Sequence, residues 1–215
     1  MVFFIDFEAA QFSDQIISIG CVTLTNQQFY SLARPREVGI TKFTTALTGI
    51  TREMLFDAPT TAEAFTNLYR FINSHKDDEN IFYTFSTTDK HFLSRTIAKM
   101  EKHDITSFMK ELSCSLVDFS TITAVDLGAN RGLSKLYQAL YDREYQQTHN
   151  ALDDAKILRK IYQWLAYASD DDKKGALDRL NKLYLSTNPK LAQTMDLKKK
   201  SAPPLFIEWN NYNLS

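Results

Sequence analysis

Two segments near the start of the chain, VFFIDFEA (2–9) and IISIGCVTL (16–24), decide the fold. Residues 2–7 are a continuous apolar run, which predicts a central strand covered on both faces. The run 16–24 and the run QFYSLAR (28–34) are rich in β-forming residues, with a short polar break between them. An antiparallel meander of three strands is the simplest interpretation.

Further strands alternate with helices downstream. IFYTF (81–85) and SLVDFS (115–120) predict two more strands, whereas 35–59, with its prolines and glycines, predicts a loop. The predicted helices run from Thr60 or Thr61 to about Asn73, from about Thr88 to Glu101, over 132–140 and over 151–168. This order indicates an α/β fold: a mixed five-stranded sheet that contains the antiparallel meander and has helices on both faces.

The composition changes after residue 168. DDDKK (170–174) is interpreted as a solvated break, 175–185 as one more helix, and 186–215 as an extended arm with a lysine run and two adjacent prolines. We therefore predict one domain over 1–168 and a C-terminal helix and arm over 169–215 that pack on it. A docking segment for a protein partner, or a nucleic-acid clamp, is the alternative interpretation of the arm.

The overall composition excludes several protein classes. The chain has 215 residues, 25 basic against 26 acidic, and a formal charge of −1, which argues against a strongly basic nucleic-acid coat. An enzyme that reaches phosphates through metal ions remains allowed. Cys21 and Cys114 have neither paired spacing nor partner histidines, so a disulfide framework and a zinc site are not expected. With no long apolar run and no leader-like N-terminus, we expect a cytoplasmic protein with no membrane partner.

Two acidic residues stand in the first strand, where apolar residues are expected. Because strand side chains alternate, Asp6 and Glu8 share one face while Ile5 and Phe7 share the other. Buried carboxylates repel each other and cost several kcal/mol in desolvation unless positive charge lies between them. The alternative is that the strand ends before Asp6 and both acids reach water.

Asp89 repeats this pattern on the helix that begins near Thr88. Apolar side chains follow it at spacings of three, four, eight and eleven residues and form one stripe along the helix. Asp89 lies at the N-terminal end of this apolar stripe. The alternative is an ordinary acidic residue in the first turn, favoured by the helix dipole.

The helix over 151–168 distinguishes two adjacent aspartates. Its apolar positions form a band about 120° wide that contains Asp154, whereas Asp153 lies on the opposite, solvent side. With Asn150 as the N-cap, Asp153 takes the third helical position, where a capping acid is expected. Asp154 is therefore the anomalous acid. His149 precedes this helix, and a histidine beside a metal cluster can deprotonate water near neutral pH.

Four inward carboxylates indicate a specific class of metal. Oxygen ligands without cysteine suit Mg²⁺ or Mn²⁺ rather than zinc or copper. Two such ions, about 3.5–4 Å apart, would bind a phosphodiester and stabilise its attacking and leaving oxygens.

Taken in order, these residues resemble the DEDDh, or DnaQ-like, 3′–5′ exonuclease family of the RNase H-like superfamily. FIDFEAA matches its first motif at Asp6 and Glu8, and HNALDDA matches its third motif at His149 and Asp154. IISIGCV (16–22) and ALTGITREM (46–54) match two further segments of the family. The middle motif, FYTFSTTDKHFL, fits at Asp89 but lacks the usual Trp-Gly-like pair before it.

The resemblance implies an RNase H-like fold, in which two parallel strands join the antiparallel meander of three, and it assigns roles to individual residues. Asp6, Glu8, Asp89 and Asp154 would hold two Mg²⁺ or Mn²⁺ ions, and His149 would be the general base. Phe7, Ala9 and Leu47 would pack on the terminal nucleotide. The implied reaction releases nucleoside 5′-monophosphates from the 3′ end of single-stranded DNA or RNA. A proofreading-type subunit and a non-catalytic nucleic-acid-binding adaptor on the same fold are the alternatives.

Overall fold

A five-stranded mixed sheet forms the centre of the fold. The computed structural model describes residues 1–36, 39–101, 103–123 and 132–187. The strands are β1 (Val2–Ala9), β2 (Ile16–Thr23), β3 (Gln28–Leu32), β4 (Ile81–Thr84) and β5 (Leu116–Asp118). Their order across the sheet is β3-β2-β1-β4-β5. β1, β2 and β3 pair antiparallel, and β4 and β5 continue the sheet in parallel with β1, as the sequence predicted.

Nine helices are seen in the described part of the chain. They are α1 (Lys42–Thr48), α2 (Arg52–Phe56), α3 (Thr61–His75), α4 (Thr88–Lys99), α5 (Ile105–Ser115), α6 (Phe119–Thr123), α7 (Leu133–Tyr141), α8 (Ala151–Tyr167) and α9 (Asp170–Thr187). None of these combines the length and the hydrophobicity needed to cross a membrane.

The alternation of side chains along β1 divides the core into two layers. Phe3, Ile5 and Phe7 pack with helices α3, α4 and α5 on one face of the sheet. Phe4 points to the other face and packs with helices α6 to α9. Asp6 stands two residues after Phe4 in the strand, so its side chain points to the same second face. The predicted arrangement, with helices on both faces of a mixed sheet, is confirmed.

Two predictions about local structure are wrong, and one helix was not predicted. The predicted loop 35–59 contains α1 and α2, which begin where Thr41 and Thr51 cap backbone N–H groups. The predicted break 170–174 is the first turn of α9, because Ser169 and Asp172 exchange capping hydrogen bonds and acidic residues suit a helix N-terminus. Helix α5, which the sequence analysis did not predict, covers the first face of the sheet.

The two cysteines lie in different environments: Cys21 is buried in β2 and Cys114 is exposed, and both are free thiols. The predicted arm lies outside the described residues from 188 onwards.

Candidate active site

The first two acidic residues lie on the strand at the centre of the sheet. In the antiparallel register, Asp6 is opposite Gly20 and Glu8 is opposite Ser18 of β2. The strand continues to Ala9, so it does not end before Asp6. Both carboxylates therefore project from a core strand.

Asp89 reaches β1 because β4 is shorter than its neighbour. The parallel pairing covers Val2 to Phe4 of β1, and no strand in the described part of the chain pairs with the rest of that edge. The backbone N–H of Phe7 instead donates to Asp89 Oδ1 at 3.1 Å. Asp89 is buried, with 6% of its surface exposed, so it is not the solvated first-turn acid of the alternative interpretation.

The start of α8 brings the remaining residues to the same place. Asn150 is the N-cap, and its side chain accepts hydrogen bonds from the N–H groups of Leu152 and Asp153. One residue further on, Asp154 is 1% exposed, whereas Asp153 is exposed and lies 3.5 Å from Lys156 Nζ. The helical-face prediction for the two aspartates is thus confirmed.

A glycine in β2 allows α8 to approach the sheet. A Cβ atom on Gly20 would lie 2.1 Å from the carbonyl carbon of Ala151 and 2.3 Å from the nitrogen of Leu152. No side chain fits at such distances, so the first turn of α8 rests on the backbone of β2. Because Gly20 is opposite Asp6, this contact fixes α8 beside the β1 carboxylates.

Three of the predicted residues form a tight group. Glu8, His149 and Asp154 each offer one ligand atom, and these atoms all lie within 4.8 Å of one another. Asp6 and Asp89 lie beside this group. The charge of Asp89 adds to the burial that raises the pKa of Glu8. The charges of Asp89, Asp154 and Glu8 likewise add to the burial that raises the pKa of Asp6. The structure thus brings all five residues to one site.

Burial and mutual repulsion make the charged forms of these acids unfavourable. Burial is the main cause in every case: it raises the pKa of Glu8 to about 8, of Asp89 to about 7 and of Asp154 to about 6. The pKa of Asp6 is raised well above its usual value, first by burial and then by the charges of its acidic neighbours. A site of this kind needs positive charge before all four carboxylates can ionise near neutral pH.

His149 has an unusual backbone and a perturbed ring. Its φ angle of 50° lies in the left-handed region, which non-glycine residues rarely adopt. Burial lowers the pKa of the imidazole below 6.5, so the ring is neutral at physiological pH and can accept a proton.

One buried oxygen tests whether these residues suit a metal ion. Asp154 Oδ1 is buried and has no hydrogen-bond partner among the described residues, a costly state unless another group binds it. All four acids provide hard oxygen ligands, which suit Mg²⁺ and Mn²⁺. The residues present therefore fit a divalent metal ion.

The comparison with known families agrees with this geometry. A family model described as exonuclease, RNase T, matches residues 3–162. The chain belongs to the RNase T family of exonucleases. The matched segment includes every predicted site residue and ends before α9 begins. A search of curated proteins by sequence finds no match.

Solved structures share the fold of this exonuclease domain. The nuclease domain of 3′hExo, a DEDDh family member bound to rAMP, is 18% identical, with a TM-score of 0.60 over 78% of this chain and 92% of the other. A 3′-exonuclease that recognises the histone mRNA stem-loop is also 18% identical, with a TM-score of 0.61 over 78% and 82%. Pop2p from S. pombe, in its Mg²⁺- and Mn²⁺-bound form, is 16% identical, with a TM-score of 0.54 over 80% and 84%. The predicted resemblance and fold are confirmed.

The three predicted nucleotide contacts lie in different environments. The side chain of Phe7 is buried in the core on the face opposite the acids, and its N–H is bound to Asp89. Ala9 is partly exposed at the end of β1. Leu47 lies on helix α1, not in a loop, and is 39% exposed. Only Ala9 and Leu47 thus present side chains that a ligand can reach.

Sequence reasoning missed three contributors to the site. Gly20 was noted as part of a motif, without its contact to α8. Asp118, at the end of β5, raises the pKa of Asp89; its position at the end of a parallel strand is the signal that would have found it. Gln147 donates to Asp154, and no pattern in the sequence points to this contact.

Proposed function

We propose that this exonuclease is a metal-dependent 3′–5′ enzyme that hydrolyses single-stranded nucleic acid from its 3′ end and releases nucleoside 5′-monophosphates. The proposal depends on the group formed by Glu8, His149 and Asp154, whose ligand atoms all lie within 4.8 Å of one another. It combines two acidic ligands and a base in one place. A binding protein without catalysis has no need of a base there.

The chain's own residues divide the chemistry between them. His149, neutral because burial lowers its pKa, accepts a proton from the water that attacks the terminal phosphorus. The new bond from the water oxygen to phosphorus forms as the bond from phosphorus to the 3′ oxygen of the preceding nucleotide breaks, and that oxygen takes up a proton from solvent. The left-handed backbone of His149 turns the chain just before the Asn150 cap, which keeps the ring beside the acids.

Asp6, Glu8, Asp89 and Asp154 would hold Mg²⁺ or Mn²⁺, which supplies stabilisation of the negative charge that develops on the phosphate oxygens. The orphaned Asp154 Oδ1 and the raised pKa values of the acids support this assignment. Pop2p, which shares the fold, is a Mg²⁺- and Mn²⁺-bound protein and supports the same choice of ions.

An exposed apolar surface beside β1 suits unpaired bases. Phe12 is 84% exposed in the turn after β1, and Phe43 and Leu47 are exposed one helical turn apart on α1. The turn is attached to α1, because Gln11 N–H donates to Thr44 Oγ1 and Thr41 Oγ1 donates to Gln11 Oε1. Stacking on such side chains binds single strands without regard to sequence.

Similar structures favour testing RNA as well as DNA. One relative in fold binds rAMP, and another recognises the 3′ end of a histone mRNA stem-loop. Discrimination between the two sugars depends on contacts to the 2′-hydroxyl. The proposed substrate class therefore includes both nucleic acids.

A time course on end-labelled strands tests the proposal. DNA and RNA oligonucleotides carrying a 5′ or a 3′ label are incubated with the full chain in Mg²⁺, Mn²⁺ or EDTA. We expect 5′-labelled strands to shorten progressively, 3′-labelled strands to release labelled mononucleotide at once, and no product in EDTA.

Three results would contradict parts of this proposal. Fragments of internal length from both labels would indicate an endonuclease, and mononucleotide released first from the 5′ label would reverse the direction. Binding of the oligonucleotide without shortening in either metal would favour the non-catalytic adaptor.

A further inference from the structure

We propose that Gln147 is a positioning residue that orients the Asp154 carboxylate and thereby sets the affinity of the metal site. This inference rests on the proposed function, because it assigns Gln147 a role toward a ligand of the proposed metal. It concerns a residue in the loop before His149, outside the motifs that identify the family.

The proposal starts from the unequal environments of the two Asp154 oxygens. Gln147 Nε2 donates to Oδ2 at 2.7 Å, a short hydrogen bond to a charged acceptor. Oδ1 is buried without a partner among the described residues. The amide therefore occupies one oxygen and leaves the other without a partner among the described residues, in a carboxylate that lies in the group with Glu8 and His149.

The loop that carries Gln147 is anchored on both sides of it. On one side, the carbonyl of Tyr145 accepts hydrogen bonds from Ser134 Oγ at 3.2 Å and from Gln138 Nε2 at 3.0 Å. On the other side, Asn150 caps helix α8. Gln147 thus lies on a short segment with fixed ends, so its amide can hold a carboxylate in one orientation.

The expected size of the effect comes from other metal sites. Groups that hydrogen-bond a metal ligand fix its direction, and their loss typically lowers metal affinity or activity by about 10- to 100-fold. The Asp154 side chain is buried, so water cannot easily replace the lost donor. Replacement of Gln147 should therefore fall within that range.

The chain offers a matched control in the preceding residue. Gln146 is also a glutamine, in the same loop, and is exposed, whereas Gln147 is partly buried against Asp154. Gln147→Met and Gln146→Met remove the same amide with nearly the same change in side-chain volume. Any general effect of the substitution on the loop is common to both.

Mn²⁺ titrations followed by electron paramagnetic resonance test the role directly, without substrate. We expect Gln147→Met to bind Mn²⁺ about 10- to 100-fold more weakly than the wild type, and Gln146→Met to bind it as the wild type does. Circular dichroism and thermal unfolding in EDTA establish that each variant is folded, and Gln147→Ala replaces Gln147→Met if the latter does not fold. In the nuclease assay, the Mn²⁺ concentration for half-maximal rate should rise, with the rate at saturating Mn²⁺ retained.

The outcomes separate this inference from the proposed function. Wild-type affinity in a folded Gln147 variant, or equal loss in both glutamine variants, overturns the role of Gln147 and leaves the metal site intact. A wild-type chain that binds no Mn²⁺ overturns the metal site itself, and the role of Gln147 with it.

Discussion

Gly20 lies directly beneath the backbone of Ala151, so close that a Cβ atom on the glycine would be 2.1 Å from the alanine carbonyl carbon. This contact joins the centre of the sheet to the first turn of the helix that carries Asp154. Two parts of the site come from segments far apart in the sequence: Asp6 and Glu8 from β1, and His149 and Asp154 from the start of α8. The absence of one side chain thus determines how far apart they lie.

Gly20→Ala should separate these two parts of the site. The added methyl group overlaps backbone atoms, which cannot rotate away, so α8 must shift. Overpacking of this kind typically lowers the free energy of unfolding by about 1–3 kcal/mol. We expect that loss in chemical denaturation, together with weaker Mn²⁺ binding under conditions in which the variant is fully folded.

Gly175→Ala is the control for this prediction. A Cβ atom there would lie 3.5 Å from Arg179 Nη1, which is an ordinary contact with a flexible side chain. Because Gly175 lies within helix α9, alanine should leave stability unchanged or raise it slightly. If Gly20→Ala bound Mn²⁺ as tightly as Gly175→Ala does, the contact would have no role in the site.

Asp154→Asn should abolish most of the activity, whereas Asp153→Asn should leave it nearly unchanged. The first removes a buried charge at the site, and we expect a loss of hydrolysis of more than about 100-fold, beyond the range for groups that only support a ligand. The second removes an exposed charge paired with Lys156 and should leave the rate nearly unchanged. Initial rates at saturating Mg²⁺ measure both, and similar rates for the two variants would contradict the assignment.

The sequence predicted those parts of the structure that depend on periodicity. The 3.6-residue repeat separated Asp154 from Asp153, and the two-residue repeat placed Asp6 and Glu8 on one face. Helix α5 carried the same kind of signal, since Ile105, Met109 and Leu112 recur at helical spacing and are all buried. This pattern is sufficient to predict the helix from the sequence.

Other parts depend on contacts between distant segments, which periodicity does not encode. The hydrogen bond from Phe7 N–H to Asp89 joins residues 82 positions apart and exists only because β4 ends early. The contacts of Gly20 with Ala151 and of Gln147 with Asp154 likewise follow from how α8 meets the sheet. Helices α1 and α2 are short and depend on threonine caps, so composition alone indicated a loop.

Metal-free protein should lose stability as the pH rises. Asp6, Glu8, Asp89 and Asp154 have folded-state pKa values above those of the unfolded chain, so the folded state binds more protons between about pH 4 and pH 8. Their stabilising contribution is complete below about pH 4 and is lost as the pH passes through the raised values. His149, whose pKa is lowered, opposes this trend with a single group.

Denaturation in EDTA across this pH range checks the sign. We expect the free energy of unfolding to fall from pH 5 to pH 8, less steeply in Asp154→Asn, and Mg²⁺ to restore stability at pH 8 by binding the ionised acids. Stability that rises over the same range in EDTA would show that the pKa values of the four acids are not raised in the folded state.

His149→Ala should separate a base from a metal ligand, because the ring lies within 4.8 Å of ligand atoms on both Glu8 and Asp154. Loss of a general base costs about 100- to 10,000-fold in rate. We expect that loss with Mn²⁺ affinity largely retained, since the four carboxylates remain. A parallel loss of Mn²⁺ affinity would instead assign the ring to the metal.

The pH dependence of the wild-type rate is a second test of His149. Burial lowers the pKa of this residue below 6.5, so at constant metal occupancy the rate should rise as the pH passes through that pKa and then level off. A rate that does not change down to pH 5 would remove the histidine from the proton transfer.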